Sequence, residues 1–142
     1  MKKTIRSIVS FTLLLATVLT FVACQKGVDV KGLWEKATYT KDTTFGNGKT
    51  TVAVEVKIED QSVTFTIKTD KTTLGEALLE HDLIAGDQGQ FGLYVKVVNG
   101  ITADYDVDQS YWAFTKNGEM MLTGVDMTNI ADGEHYELVY TK

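Results

Sequence analysis

Apolar residues in this chain recur mostly at every second position. Val52, Val54, Val56 and Ile58 alternate with polar or small residues through Thr51–Ile58, and Val63, Phe65 and Ile67 do the same through Val63–Lys68. This period gives strands with one buried and one wet face. Further strands are expected at Phe91–Val98, Ile101–Tyr105, Tyr111–Thr115, Glu119–Leu122 and Tyr136–Thr141. Asn47-Gly48, Asn99-Gly100, Asn117-Gly118 and Asp132-Gly133 accept positive φ and are expected as tight hairpin turns. Lys41–Lys49 reads as a long hairpin end, with Phe45 either exposed at its tip or, more often for such residues, folded back. The helical period occurs once: Thr73 and Glu76 form a capping box ahead of Leu74, Ala77 and Leu78 at i, i+3, i+4. That helix should stop near His81 or Asp82, before a loop at Ala85–Gly89. The pattern defines an α+β fold, a mainly antiparallel β-sheet with one packed helix in a grasp-like order.

The N-terminus departs from this pattern. Met1–Arg6 is basic, Ile8–Ala23 is apolar, and Phe21-Val22-Ala23-Cys24 ends the run on the only cysteine. These are the parts of an export signal. A sole Cys at its cleavage point resembles the bacterial lipoprotein signal, in which the Cys is lipidated and becomes the first residue of the mature chain. At about 16 residues the apolar run is short for a transmembrane helix. The expected organisation is a lipoprotein signal peptide at 1–23, lipidated Cys24 with a short tether at 24–31, and one domain at 32–142. The expected location is extracytoplasmic, on the bacterial cell membrane.

Removing the leader changes the charge balance. Lys2, Lys3 and Arg6 leave with it and no acid does, so the chain from Cys24 carries 11 basic and 19 acidic residues, net −8. Such a domain is a poor partner for nucleic acid or for an anionic bilayer. The remaining 119 residues suffice for one core without disulfides. Proline is absent, so turns rest on Gly and Asn.

Several segments in order carry a family resemblance. They are Thr73-Leu74-Gly75-Glu76-Ala77-Leu78, Tyr94-Val95, Val98-Asn99-Gly100, Tyr111-Trp112-Ala113-Phe114, Asn117-Gly118-Glu119, Gly124-Val125 and Asp132–Tyr140. Together they resemble the transcobalamin-like C-terminal domain family over roughly residues 60–142. In the vertebrate carriers that domain is the smaller half of a clamp around cobalamin. Bacterial relatives occur alone or as modules of surface proteins and lipoproteins. The resemblance implies a ligand-binding module rather than an enzyme, with cobalamin or another corrinoid as the named ligand and an uptake transporter as a partner. The helical-barrel half of the clamp is not in this sequence, so corrinoid binding is not simply inherited. The resemblance also places the loops around Tyr111, Thr123, Gly124, Val125 and Asp126 on the ligand-facing side.

Other residues invite chemistry. Tyr111-Trp112-Ala113-Phe114 on a strand sends alternate residues to opposite faces. Trp112 and Phe114 belong to the core or, alternatively, stack on a flat ligand. Asp104, Asp106 and Asp108 share a face if the chain is extended, and calcium needs such gathered oxygens. Gln109 and Thr115 stand where an EF-hand needs Gly and Glu, so it is no EF-hand; an acidic hairpin end is the plain alternative. His81 lies between Glu80 and Asp82, and His135 follows Glu134; a transition-metal site would need such donors brought together. Glu55 and Glu59 look like solvent-face strand positions. No nucleophile elbow, phosphate-binding Gly loop or His-Glu-x-x-His is present. The expectation is a lipid-anchored extracytoplasmic binding protein for a small ligand. The alternatives are a calcium-binding lipoprotein or one that holds a surface protein or glycan.

Overall fold

The structure is a computed structural model that describes residues 27–142. The leader and Cys24 lie outside the described residues. In chain order the elements are α1 (Val30–Trp34), β1 (Thr43–Gly46), β2 (Thr50–Ile58), β3 (Gln61–Thr69), α2 (Leu74–Leu79), β4 (Ile84–Gly89) and β5 (Gly92–Val98). There follow β6 (Ile101–Thr102), α3 (Tyr105–Asp108), β7 (Tyr111–Lys116), β8 (Glu119–Met120), a 3-10 turn (Val125–Met127) and β9 (His135–Thr141). One sheet runs β1-β3-β2-β9-β7-β8, and a smaller one runs β4-β5-β6. Five of the seven pairings are antiparallel; β1–β3 and β2–β9 are parallel.

The alternation sets which face is buried. Val52, Val54, Val56 and Ile58 of β2, Phe65 and Ile67 of β3, and Tyr136, Leu138 and Tyr140 of β9 share one core. Leu74, Ala77 and Leu78 of α2 close over it, with Leu83, Ile84, Val98, Ile101 and Val125. Burying a Leu or Val stabilises by about 1.5–3 kcal/mol. The other face is polar and half-exposed. It includes Ala53, Glu55 and Lys57 of β2 beside His135, Glu137 and Val139 of β9 in parallel register.

The α2 capping box forms as its sequence requires. Thr73 Oγ1 accepts the Glu76 N–H, and Glu76 Oε2 accepts the Thr73 N–H at 3.2 Å and the Thr72 N–H at 3.3 Å. The bond from the Thr73 backbone is the main reason the Glu76 carboxyl titrates below its ordinary value of 4.5. A folded pKa below the unfolded one contributes stability above the unfolded pKa, and that stability is lost as pH falls through the folded one. Glu76→Gln should therefore be less stable than wild type at neutral pH. Thermal melts should show this difference shrinking as pH drops below 4.5 and on through the folded pKa.

Several expectations need correction. Ala85–Gly89 is strand β4, not loop. It has little side-chain pattern of its own and takes its form from β5, with a bulge at Ala85/Gly86. Gly86 permits the pairing, since a Cβ there would stand 1.9 Å from the Tyr94 carbonyl oxygen. Lys41–Lys49 is not a hairpin end, because β1 runs parallel to β3. Phe45 folds inward, edge-on to Tyr39 at 5.1 Å and to Phe65 at 5.4 Å. Of the four expected hairpin turns, Asn99-Gly100 and Asn117-Gly118 have positive φ at both residues and connect paired strands. Asp132-Gly133 instead docks onto β2: Asp132 accepts the Thr51 N–H, and the Gly133 N–H donates to the Thr51 carbonyl. Asn47-Gly48 joins β1 to β2, which are not paired. Helix α1 begins at Val30 and packs Val30, Leu33 and Trp34 on the core. Residues 105–108 are helical rather than the end of a strand.

Candidate functional site

The expected site residues separate into three places. Trp112 is a core residue. It is 7% exposed, meets Tyr140 edge-on at 5.5 Å, and donates from Nε1 to the Ile101 carbonyl at 3.2 Å. Phe114 lies on the same face, stacked on Tyr136 at 5.7 Å. Trp112 is buried in the core, and Phe114 is half-buried against it. Tyr111 is exposed, but it stands at the opening end of β7, with its ring 6.5 Å from Tyr105. The chain reaches Thr123 and Gly124 from the other end of that strand, so Tyr111 does not join them.

The three aspartates do not converge. Asp104 caps α3, accepting the Asp106 N–H, and lies 3.7 Å from Lys96. Asp108 accepts from the Ser110 backbone and hydroxyl and from Lys142; the Ser110 hydroxyl is the chief reason its carboxyl titrates below the ordinary value. The helix disperses what an extended strand would have gathered. Among the described residues no group of three or more His, Cys, Asp or Glu is placed to hold a metal ion. His81 lies on the core side, its ring tilted over Phe45 at 5.3 Å. His135 lies on the polar face, 3.5 Å from Glu55 and 3.9 Å from Glu137. The sheet stands between the two imidazoles.

Thr123, Gly124, Val125 and Asp126 do meet at one end of the molecule. The loop carrying them is held to the start of α2: the Leu74 N–H donates to the Thr128 carbonyl, and the Ile130 N–H to the Thr72 carbonyl. A Cβ on Gly75 would stand 2.8 Å from Asp126 Cα, so helix and loop are in backbone contact. Val125 is buried in the core. Thr128 Oγ1 donates to the Gly124 carbonyl at 2.8 Å. Opposite this loop stands the β4–β5 hairpin tip. Gln90, Phe91 and Gly92 from the tip, with Leu122, Thr123, Gly124 and Met127 from the loop, line an open concavity of about 500 Å³. Its apolar members are strongly exposed: Phe91 at 89%, Leu122 at 100% and Met127 at 65%.

Of the residues expected on the ligand-facing side, Thr123 and Gly124 line this concavity; Phe91, Leu122 and Met127, which also line it, are not among those the sequence singles out. A signal was present, since Gly89-Gln90-Phe91-Gly92 is an aromatic on a Gly-flanked tip. The other candidate tip aromatic, Phe45, folds inward.

These features define an α+β domain of transcobalamin C-terminal type. The chain belongs to the family described as "Domain of unknown function (DUF4430)", whose model matches residues 71–142. That family is associated with transcobalamin-like C-terminal domains. A proposed metal-binding protein from Ruminococcus gnavus is 35% identical with a TM-score of 0.62, over 66% of this chain and 98% of that one. Haptocorrin in complex with Cbi is 19% identical with a TM-score of 0.56, over 69% of this chain. The match spans 26% of haptocorrin's length, and the likeness is one of fold. No curated protein matches.

Proposed function

We propose that this protein is a lipid-anchored extracytoplasmic binding module that captures a small ligand at the Phe91–Leu122–Met127 concavity, without catalysing a reaction on it. The observation that carries the reading is three large apolar side chains held in water around a glycine-containing wall. Exposed apolar surface of this kind marks interaction sites, and concave apolar surface favours ligands. A corrinoid is the first ligand to test, on the fold shared with haptocorrin.

The placement of the concavity fixes how an anchored domain would present it. Thr38 and Tyr39, just after α1, bond to Asn99 at the root of β5. The tip at Phe91 lies about 26 Å along the strand from that root at roughly 3.3 Å per residue. With an anchor at Cys24, shortly before α1, the concavity would face away from the membrane. Uptake through a membrane transporter would then require handover from an outward-facing site.

The described fold lies within the chain from Gln25 onward, which is the material to titrate with cobalamin and cobinamide by calorimetry. Saturable micromolar binding that disappears in Leu122→Ser is the expected result. No heat and no thermal shift at hundreds of micromolar would overturn a corrinoid as the ligand.

A further inference from the structure

Asp126 reaches behind the wall of the concavity from the 3-10 turn. Its Oδ2 accepts the Leu93 N–H at 3.0 Å. Its Oδ1 is buried and has no hydrogen-bond partner. An unpaired carboxylate oxygen is among the costliest polar atoms to bury. The two residues of the concavity wall without side chains are the ones beside this oxygen: a Cβ on Gly92 would stand 2.7 Å from Oδ1, and one on Gly124 would stand 3.0 Å from it. The apolar residues Phe91, Leu122 and Met127 surround the same wall.

We propose that Asp126 Oδ1 is the acceptor for a hydrogen-bond donor on the ligand, so that the concavity selects an apolar molecule bearing an ammonium or amide N–H. The inference rests on the binding reading above and deepens it. Phe91, Leu122 and Met127 take up the apolar body. A small outward displacement of the tip at Gly92 brings Oδ1 to the concavity and gives the orphaned oxygen its partner. The tip residues Gly89–Gly92 carry no packed side chain, so they can make that displacement while Leu93 keeps its packing and its bond to Oδ2. A carboxylate in the same position would face Asp126 and be rejected.

The test uses three probes with one apolar body: 2-phenylethylamine, 2-phenylethanol and 3-phenylpropionate. Each is titrated into ¹⁵N-labelled protein from Gln25 onward, with the amide signals of Gly92 and Gly124 as reporters. The amine should bind at least about tenfold more tightly than the carboxylate, equivalent to about 1.4 kcal/mol, with the alcohol between them. Asp126→Asn can still accept the Leu93 N–H but turns the other atom into a donor, and it should abolish or reverse that order. Equal affinities in the wild type, with both glycine signals moving, would overturn the selection and leave the concavity reading standing. No movement at either glycine with any probe would overturn both. An amine preference that survives in Asp126→Asn would trace to the acidic surface and overturn the role of Asp126. Should that variant fail to fold, salt decides in the wild type. A preference due to surface charge fades by 0.5 M NaCl, where the Debye length is only a few ångströms, whereas a bond made inside the wall persists.

Discussion

Replacing Trp112 by Ala should destabilise the domain by about 3–5 kcal/mol and lower its melting temperature by on the order of 10 °C or more. Total domain stability is about 5–15 kcal/mol, so this one change approaches the limit of folding. The side chain fills the space between β7 and the smaller sheet, edge-on to Tyr140, and its indole N–H serves the Ile101 carbonyl. Removing it leaves a cavity and takes one of two donors from that carbonyl, which stays paired across β5–β6, so the lost bond adds a smaller cost of its own. Trp112→Phe separates the two contributions. It keeps most of the apolar volume but not the donor, and its loss should be a fraction of the alanine variant's. Urea denaturation measures both. A Trp112→Ala protein that kept its midpoint but lost ligand binding would show Trp112 to be a binding residue after all.

Trp112 also shows where the sequence is informative. Its strand and its alternation with Ala113 are legible, but whether its face meets core or ligand depends on what packs opposite. That partner, Tyr140, is 28 positions away. The β2–β3 hairpin is fully legible because each strand carries its own alternation and the connection is short. The parallel pairing of β2 with β9 is not, because no local signal names a partner so far along the chain. Strand β4 escapes for a different reason: it is an exposed edge of Ala, Gly, Asp and Gln whose extended form is imposed by β5. The short helices were readable in principle. Asp29 accepts the Gly32 N–H ahead of Val30, Leu33 and Trp34, and Asp104 caps α3. Taking these aspartates as tether and metal ligand hid their capping role. At the site, Gly124-Val125-Asp126 came from the family resemblance, whereas Phe91 depends on a tip that exists only once β4 is recognised as a strand.

Gly92→Ala should remove ligand binding while the core stays folded, and comparison with two other glycines identifies why. Gly92 has φ +98°, and a Cβ there would stand 2.7 Å from both Asp126 carboxylate oxygens. Alanine is therefore strained in its backbone, at a cost of about 1–3 kcal/mol, and also collides with the carboxylate that accepts the Leu93 N–H. The least costly response is for the β4–β5 tip to swing outward and break that bond, carrying Phe91 away from Leu122 and Met127. Hydrogen exchange should then quicken at Gly89–Leu93 while the amides of β2, β3 and β9 keep their protection. Gly118→Ala imposes a similar strain at φ +82° but meets nothing within 4 Å, so it should cost stability and spare the site. Gly124→Ala has no positive φ but crowds Asp126 Oδ1 at 3.0 Å, so it should impair the site with little loss of global stability. If Gly118→Ala weakens binding as much as Gly92→Ala does, strain alone accounts for the effect and the concavity is not the binding site. If Gly92→Ala and Gly124→Ala share a binding defect that Gly118→Ala lacks, the feature they share is the Asp126 carboxylate, whose position shapes the wall of the concavity.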